Sequence, residues 1–559
     1  MKRTTLFLSA AMCIAQAATA QAPFLTIDSV NINKVNASVL VHGDMWWNGN
    51  LADYATKCFF PNGTRKSIGG FGNAVWMSGY DGAGQLHIAA QTYRQNGNDY
   101  WPGPLNSADT LTYAISHDWA RIWKVNRSDI QFFQSQAAHT TANTHPMILS
   151  WPGRGNTNAT GNAGVPLSVA TDMAPFIDVN SNGIYEPLLG DYPNIKGDQA
   201  LWWVFSDNGP AHTETDGKPL GVEIHAMSYA YSRGTMIDNV VYYDYEIVNK
   251  SANNYSNFRF ALRGDLDIGY YLNDYIGFDS THRMGIQYNA TRDDGVTVGY
   301  APGTYDSAIP MAGVTLVSLP GDAGSSYVPA GSFTYYNNDA SIIGNPTVDT
   351  HYNNYMRSKL NNGQHFRNDY VGPGIMANGH GAGPDCNYVF TGDPSDNTKW
   401  SECASANMPG DRRFILASND FTLSAGATQH IGMALVVTDT SQTNYCSAAS
   451  FTNIKTLADT AWNIYHNPLP PKPAAVSDIA KGGLDLYPNP ANNILHIGLN
   501  KSSSEEQVSV HNPLGQLMEV PVTRTNTEVV LDISRLVPGV YLVHYTSESS
   551  NASVTFRKY

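Results

Sequence analysis

Between residues 178 and 191 the chain reads DVNSNGIYEPLLGD. Asp178, Asn180 and Asn182 occupy alternate positions, Gly183 permits a sharp turn, Ile184 offers a backbone carbonyl, and Glu186 follows. A hard cation such as calcium takes roughly six to eight oxygens, and this spacing delivers several to one centre. Asp178, Glu186 and Asp191 held in one loop repel one another, and a divalent ion reverses that sign while fixing the loop's shape. The stretch therefore predicts one structural calcium, held by the side chains of Asp178, Asn180, Asn182 and Glu186, by the carbonyl of Ile184, and by Asp191 as the closing ligand. The competing arrangement is a cluster of Asx turns, in which the same side chains cap nearby backbone amides.

The run resembles the first half of an EF-hand-type loop. Leu189 stands where such a loop places its closing Glu, which is why closure falls to Asp191 in a longer loop. A second acidic stretch, RGDLDIGYYLNDYIGFDS, crowds Asp265, Asp267, Asn273, Asp274 and Asp279 together. So many carboxylates repel without a cation, so Asp265, Asp267, Asp274 and Asp279 form a second candidate calcium set, against the alternative of a solvated acidic loop. The Arg263-Gly264-Asp265 tripeptide recurs by chance and carries no integrin reading. His212, Glu214, Glu223 and His225 include zinc-ligand types, but their spacing is not the one-turn pattern of metallopeptidases, and a polar loop followed by a half-buried strand accounts for them. No Gly-x-Ser-x-Gly elbow occurs, and carboxylate pairs abound with none marked above the rest. No catalytic residue is assigned. Trp46-Trp47, Trp101 and Trp202-Trp203 could stack on sugars, or could face both ways across strands within a core.

The elements that must position these residues are mostly strands. Of 559 residues 42% are hydrophobic and only 14% charged, so the polar surface comes from Asn, Ser, Thr, Gly and Tyr, a profile suited to secreted β-rich chains. MIDNVVYYDYEIVNKSANNYSNFRFALRGDLDIG reads as two strands about a Ser-Ala-Asn-Asn turn, and GDRRFILASNDFTLSAGATQHIGMALVVTD repeats that form. Helix is scarce. A new N-cap falls within Asn126 to Asp129, and SFTNIKTLADTAWNIYHN places Ile454, Leu457, Ala461, Ile464 and Tyr465 on one helical face. Net charge is −14, or −16 once Lys2 and Arg3 are removed, and with no basic run this excludes a nucleic-acid partner.

Residues 1–20 read as a secretory signal: Lys2 and Arg3, an apolar core, then Ala18-Thr19-Ala20 before Gln21. No other stretch is long and apolar enough to be a transmembrane segment. Cys58, Cys386, Cys403 and Cys446 then lie in an oxidising compartment; three full pairings are open, and the closeness of Cys386 to Cys403 predicts a bridge between them. The organisation is an N-terminal β-rich region at 21–165, a main β-sandwich region with the calcium loops at 166–470, a Pro-rich linker at 471–483, and a small module at 484–559 whose strand-length runs predict an antiparallel sandwich of about six or seven strands.

That module opens Tyr487-Pro488-Asn489-Pro490-Ala491, carries Leu514-Gly515-Gln516, runs Leu531-Asp532-Ile533-Ser534 into Pro538-Gly539-Val540-Tyr541, and closes on Arg557-Lys558. It resembles the type A sorting domain of the type IX secretion system of Bacteroidota, an Ig-like β-sandwich. The resemblance implies recognition by the outer-membrane secretion machinery through residues 484–559, passage through the periplasm, then cleavage, with attachment of the passenger to surface lipopolysaccharide or release. AVWMSGYDGAGQLHIAAQTYRQNGNDYWPGPL, GDYPNIKGDQALWWVFSDNG, PLGVEIHAMSYAYS and PGDRRFILAS resemble blocks of large Bacteroidota surface proteins that carry this domain, which implies an address and no chemistry. The reading is a secreted or surface-anchored, non-enzymatic adhesion protein with structural calcium and a glycan or protein ligand. The alternative is a secreted hydrolase acting on polysaccharide or protein.

Overall fold

The computed structural model describes residues 23–48, 57–69, 72–94, 97–300, 303–305, 308–323, 327–439, 445–446, 448–472, 485–488, 491–498, 507–512, 516–525, 528–547 and 550–558. The signal segment, most of the linker, and Asn489, Pro490, Leu514 and Gly515 of the sorting motifs lie outside the described residues. The chain is mainly β and divides into two compact units, Met1–Pro471 and Lys472–Tyr559.

Two antiparallel sheets form the frame of the first unit. One runs, in spatial order, Asp274–Asp279, Met284–Asn289, Ala312–Ser318, Thr428–Val437, Val240–Asn249, Val222–Ala230, Gln199–Ser206 and Trp101–Pro102, with Trp123–Asn126 also pairing to Gln199–Ser206. The other runs Ser332–Asn337, Arg412–Ala417, Tyr255–Gly264, Ala74–Tyr80 and Leu86–Ala89, with Phe421–Leu423 pairing to Tyr255–Gly264. Strands on both sides of residue 165 thus pair with one another in the larger sheet. The two strands about Ser-Ala-Asn-Asn exist, but they are not a hairpin: Val240–Asn249 pairs with Val222–Ala230 and Thr428–Val437, while Tyr255–Gly264 belongs to the other sheet.

The larger sheet is buried on both faces. Because successive side chains point oppositely, Leu201, Trp203 and Phe205 enter a core shared with Trp76, Phe258, Phe260 and Phe414 of the second sheet, whereas Ala200, Trp202 and Val204 enter a second core. That second core is covered by the helix Ala448–His466, whose Phe451, Ile454, Leu457 and Ala461 are buried, with Ile464 and Tyr465 half-buried beside them. Tyr242 donates to the Ala461 carbonyl (2.9 Å), and a Cβ on Gly432 would stand 2.4 Å from the Tyr465 ring, so the helix approaches the sheet at a position only glycine allows. A second helix, Arg127–Ser135, starts at Asn126 with a capping box closed by Asp129. Trp46, Trp101, Trp202 and Trp203 are all at most 1% exposed and Trp47 is 8% exposed, so the paired tryptophans are core and offer no platform to a sugar.

The expected Cys386–Cys403 bridge is not formed. Cys403 bonds Cys446 across a Cα separation of 6.1 Å, and Cys58 and Cys386 are free thiols. Cys386 packs against the core between the sheets and Cys403 against the core under the helix, so closeness in sequence does not bring the two together.

The second unit has two antiparallel four-stranded sheets among its described residues: Asp485–Tyr487, Ile494–Gly498, Glu528–Asp532, Val522–Arg524, and Leu517–Met518, Gln507–His511, Gly539–Ser547, Ser550–Lys558. Leu495, Ile497, Val529 and Leu531 of the first meet Val510, Val543 and Phe556 of the second in one core, which makes the unit a sandwich.

Candidate metal centre

The 178–191 loop is closed at its base by a two-residue ladder, Phe176 opposite Pro193 and Ile177 opposite Tyr192. Within it Asp178 Oδ1 accepts from the amides of Ser181 (2.7 Å) and Asn182 (3.3 Å), and Oδ2 from Gly183 (2.6 Å). Asn180 Oδ1 accepts from Asn182 (3.0 Å) and Asn182 Oδ1 from Ile184 (2.8 Å), so the alternating residues cap successive amides. Gly183 takes φ +77°, the left-handed turn that this winding requires. The amide nitrogens of Asn180 and Asn182 both donate to Glu186 Oε2, at 3.4 and 2.5 Å, which gathers three of the expected ligands at one point. Ile184 donates its amide to that same chain of turns and is 40% exposed. Asp191 is fully buried, with Oδ1 accepting from Val179 and Oδ2 from Glu186, both at 2.8 Å; its carboxylate pins the start of the loop to its end. This is the Asx-turn arrangement, with Glu186 as the carboxylate at the centre.

The second acidic stretch divides among three places. Asp279 caps the turn after its strand, accepting from the Thr281 amide and from His282 Nδ1 (2.7 Å). Asp274 Oδ2 accepts from the Ile268 amide (3.2 Å) and Gln287 Nε2 (2.8 Å). Asp265 and Asp267 meet a third carboxylate that the sequence reading did not include: one oxygen from each of Asp265, Asp267 and Asp411 lies within 4.8 Å of the others. The strand pairing places it there. Gly264 is opposite Phe414, so Asp265 continues toward Arg413, and Asp411 immediately precedes that strand. No local spacing encodes that meeting; only the pairing of two strands distant in sequence reveals it.

Cations surround this cluster unevenly. Arg263 Nη2 and Arg413 Nε reach Asp265 Oδ2 at 2.9 and 3.2 Å, Tyr93 donates its hydroxyl to the same oxygen (2.5 Å), and Arg413 Nη2 donates to Asp411 Oδ2 (2.9 Å). Burial opposes ionisation of Asp265, but Arg413 and Arg263 hold its carboxyl below the usual range. Asp267 is 2% exposed, and among the described residues neither of its oxygens has a hydrogen-bond partner. Burial, then the charges of Asp265, Asp411 and Asp274, push its carboxyl well above the ordinary range, and burial and Asp265 raise Asp411 as well. Lys57, buried over the Trp47 ring, feels Asp267 and Asp265 as the charges that oppose its own desolvation. The cluster can therefore hold one more cation, at Asp267, in competition with the Lys57 ammonium.

His212, Glu214, Glu223 and His225 do not converge. Glu223 accepts from His225 Nε2 (2.9 Å) and from the Leu105 amide, whereas Glu214 is bonded by Gln91, Thr92 and Tyr352 and His212 faces Asp99 (3.4 Å). Among the described residues no helix is long and apolar enough to cross a membrane.

Comparison with known proteins bears on the second unit. No curated protein matches the chain. Among solved structures, a polysaccharide lyase is 6% identical over 60% of this chain and 34% of its own, with a TM-score of 0.17, a likeness too slight to inform fold or chemistry. Residues 485–557 match the model of the secretion system C-terminal sorting domain. With its sandwich core and its terminal address in place, the chain is a cargo of the type IX secretion system, sorted to the cell surface by residues 485–557.

Proposed function

We propose that the passenger is a non-enzymatic adhesion protein of the cell surface, stiffened by calcium at the Asp265–Asp267–Asp411 cluster and in the 178–191 loop. The observation that carries this reading is Asp267, a buried carboxylate whose two oxygens accept no hydrogen bond among the described residues, beside two further carboxylates. Calcium supplies the charge that burial otherwise denies this group, and it takes carboxylate oxygens by preference. The other acidic groups tie loops: Asp191 joins the ends of its loop, and Asp294 accepts from the amides of Tyr270 and Tyr305. A frame held in this way suits a rigid display module exposed to millimolar extracellular calcium.

The test is a thermal melt of the full chain in chelator and in calcium, for wild type and for Asp267→Asn. Asparagine mimics the protonated carboxyl, so the variant folds in chelator and responds less to calcium than wild type, retaining only the response of the 178–191 loop. Calcium binding to the folded state alone raises the wild-type midpoint by mass action. Equal responses in the two proteins would assign Asp267 to Lys57 and remove the ion from this cluster. Turnover of a polysaccharide or protein substrate would remove the non-enzymatic reading.

A further inference from the structure

A cavity of about 310 Å³ opens where the turn after Asp274–Asp279 meets residues 327–329 and the helix Ala448–His466. Its wall is aromatic. Trp462 and Tyr327 meet edge to face, with ring centroids 4.5 Å apart, Trp462 half-buried and Tyr327 36% exposed. The rim is polar. His282 stands between two carboxylates, bonding Asp279 through Nδ1 (2.7 Å) and Asp459 through Nε2 (3.0 Å), and Thr281 adds an exposed hydroxyl. The Asp459 side chain is 67% exposed at the mouth. Beneath, Arg283 is pinned by Asp322 and the Val328 carbonyl, and its guanidinium lies 5.7 Å from the Tyr327 ring, which holds the aromatic wall in place.

We infer that this cavity is a subsite for a neutral carbohydrate, a single pyranose ring seated on Trp462 and Tyr327 with its hydroxyls toward Asp459 and Thr281, while His282 holds Asp459 in place. The inference rests on the surface-binding reading above and names its ligand class. A pyranose presents an apolar C–H face and a rim of hydroxyls, and the cavity presents an apolar aromatic wall and a rim of strong acceptors and donors. Its volume is at the small end of ligand pockets, near the size of one ring. Charge selects among sugars. Asp279 and Asp322 are matched by His282, Arg283 and the nearby Lys455, whereas the carboxylate at the mouth is the exposed Asp459, so an acidic sugar is repelled there. The hydrogen bond that Asp279 accepts from Nδ1 and the charges of Asp279 and Asp459 raise the His282 pKa against partial burial, and Nε2 faces Asp459 and steadies that carboxylate at the mouth.

Saturation-transfer NMR of the full chain with methyl glycosides of glucose, galactose, mannose and N-acetylglucosamine, each at about 10 mM, tests this. At least one is expected to bind. Asp459→Ala, an exposed helical position where alanine keeps the fold, should weaken it by about tenfold, and Trp462→Leu should abolish it. If Trp462→Leu fails to fold, Asp459→Ala decides. Unchanged binding in Asp459→Ala overturns this cavity as the site and leaves the surface-binding reading intact. Failure of every neutral glycoside, or preference for glucuronate, overturns the ligand class; a protein ligand found on an array would then sustain the surface reading alone.

Discussion

Arg263 Nη2 donates to Asp265 Oδ2 at 2.9 Å, and neither side chain is exposed to solvent. The Arg-Gly-Asp tripeptide is therefore an internal ion pair at the end of a strand, unable to meet a receptor. Arg263 also donates to Tyr336 (2.9 Å) and to the Gly72 carbonyl (2.6 Å), so it ties the second sheet to the segment before Ala74–Tyr80. Removing one partner of a buried pair leaves an uncompensated charge, which costs about 3–5 kcal/mol. Asp265→Ala should lose that much in urea denaturation. A loss under about 1 kcal/mol would mean that solvent reaches the site and screens Arg263.

The bridge between Cys403 and Cys446 closes a loop with a sequence separation of 43 residues. On the chain-entropy view this stabilises the fold by about 4 kcal/mol. Peptide mapping without reductant should recover the 403–446 pair, with Cys58 and Cys386 alkylated only after unfolding or slowly. Recovery of a Cys386–Cys403 peptide instead would contradict the packing of these two residues against separate cores.

Much of the fold was legible because burial imposes a local period. The helix over Ala448–His466, the Asn126 cap and the strands around residues 240–264 follow from apolar spacing and turn residues alone. The address in the second unit was legible for a different reason: its motifs sit close together in sequence. Partnership between distant strands was not. Asp411 reaches Asp265 and Asp267 through the pairing of Tyr255–Gly264 with Arg412–Ala417, and Cys446 reaches Cys403 through the docking of the helix that follows it. Asp279, the last carboxylate of the acidic stretch, departs from the others because a six-residue strand carries it away to His282. Local composition predicted that calcium would neutralise these carboxylates; it held no sign that Arg263 and Arg413 face Asp265, because Arg413 arrives from a distant strand.

Glu214 gives the passenger an unusual response to acid. Burial pushes its carboxyl up to about 7 from 4.5, with hydrogen bonds from Thr92 and Tyr352 pulling the other way and the Asp99 charge adding to the rise. Asp207, buried and bonded to the amides of Leu220 and Val222, is pushed up to about 6. A carboxyl raised in the folded state holds a proton that the unfolded chain has released. Its stabilisation is full below the unfolded value of 4.5 and is lost as pH rises through about 7. For Glu214 the whole effect is roughly 3 kcal/mol. Thermal midpoints should therefore rise between about pH 8 and about pH 5.5, and Glu214→Gln should flatten that slope. A slope identical in the variant would exclude Glu214 as its source. Below that range Asp44, held down to about 2 against burial by Arg94 and His42, reverses the trend as it takes up its proton.

The 178–191 loop separates capping from cation binding by two substitutions. Asp178 accepts from three successive amides, so its carboxylate holds the turn with or without an ion. Among the described residues, Glu186 accepts from the side-chain amides of Asn180 and Asn182 alone. Those two amides must rotate to offer oxygen to calcium, and Glu186 must turn its charge to the ion in place of their nitrogens. In chelator, Asp178→Ala should cost about 1 kcal/mol, as loss of a capping carboxylate does, and Glu186→Gln should cost little. In millimolar calcium the order changes: Glu186→Gln loses the part of the midpoint shift that this loop contributes, because a carboxylate ligand has become an amide. Native-state hydrogen exchange at the amides of Ser181, Gly183 and Ile184 reads the loop directly. Calcium should slow those amides in wild type and leave them unchanged in Glu186→Gln. If calcium slows them equally in both, the ion binds elsewhere and the loop is a set of capped turns alone.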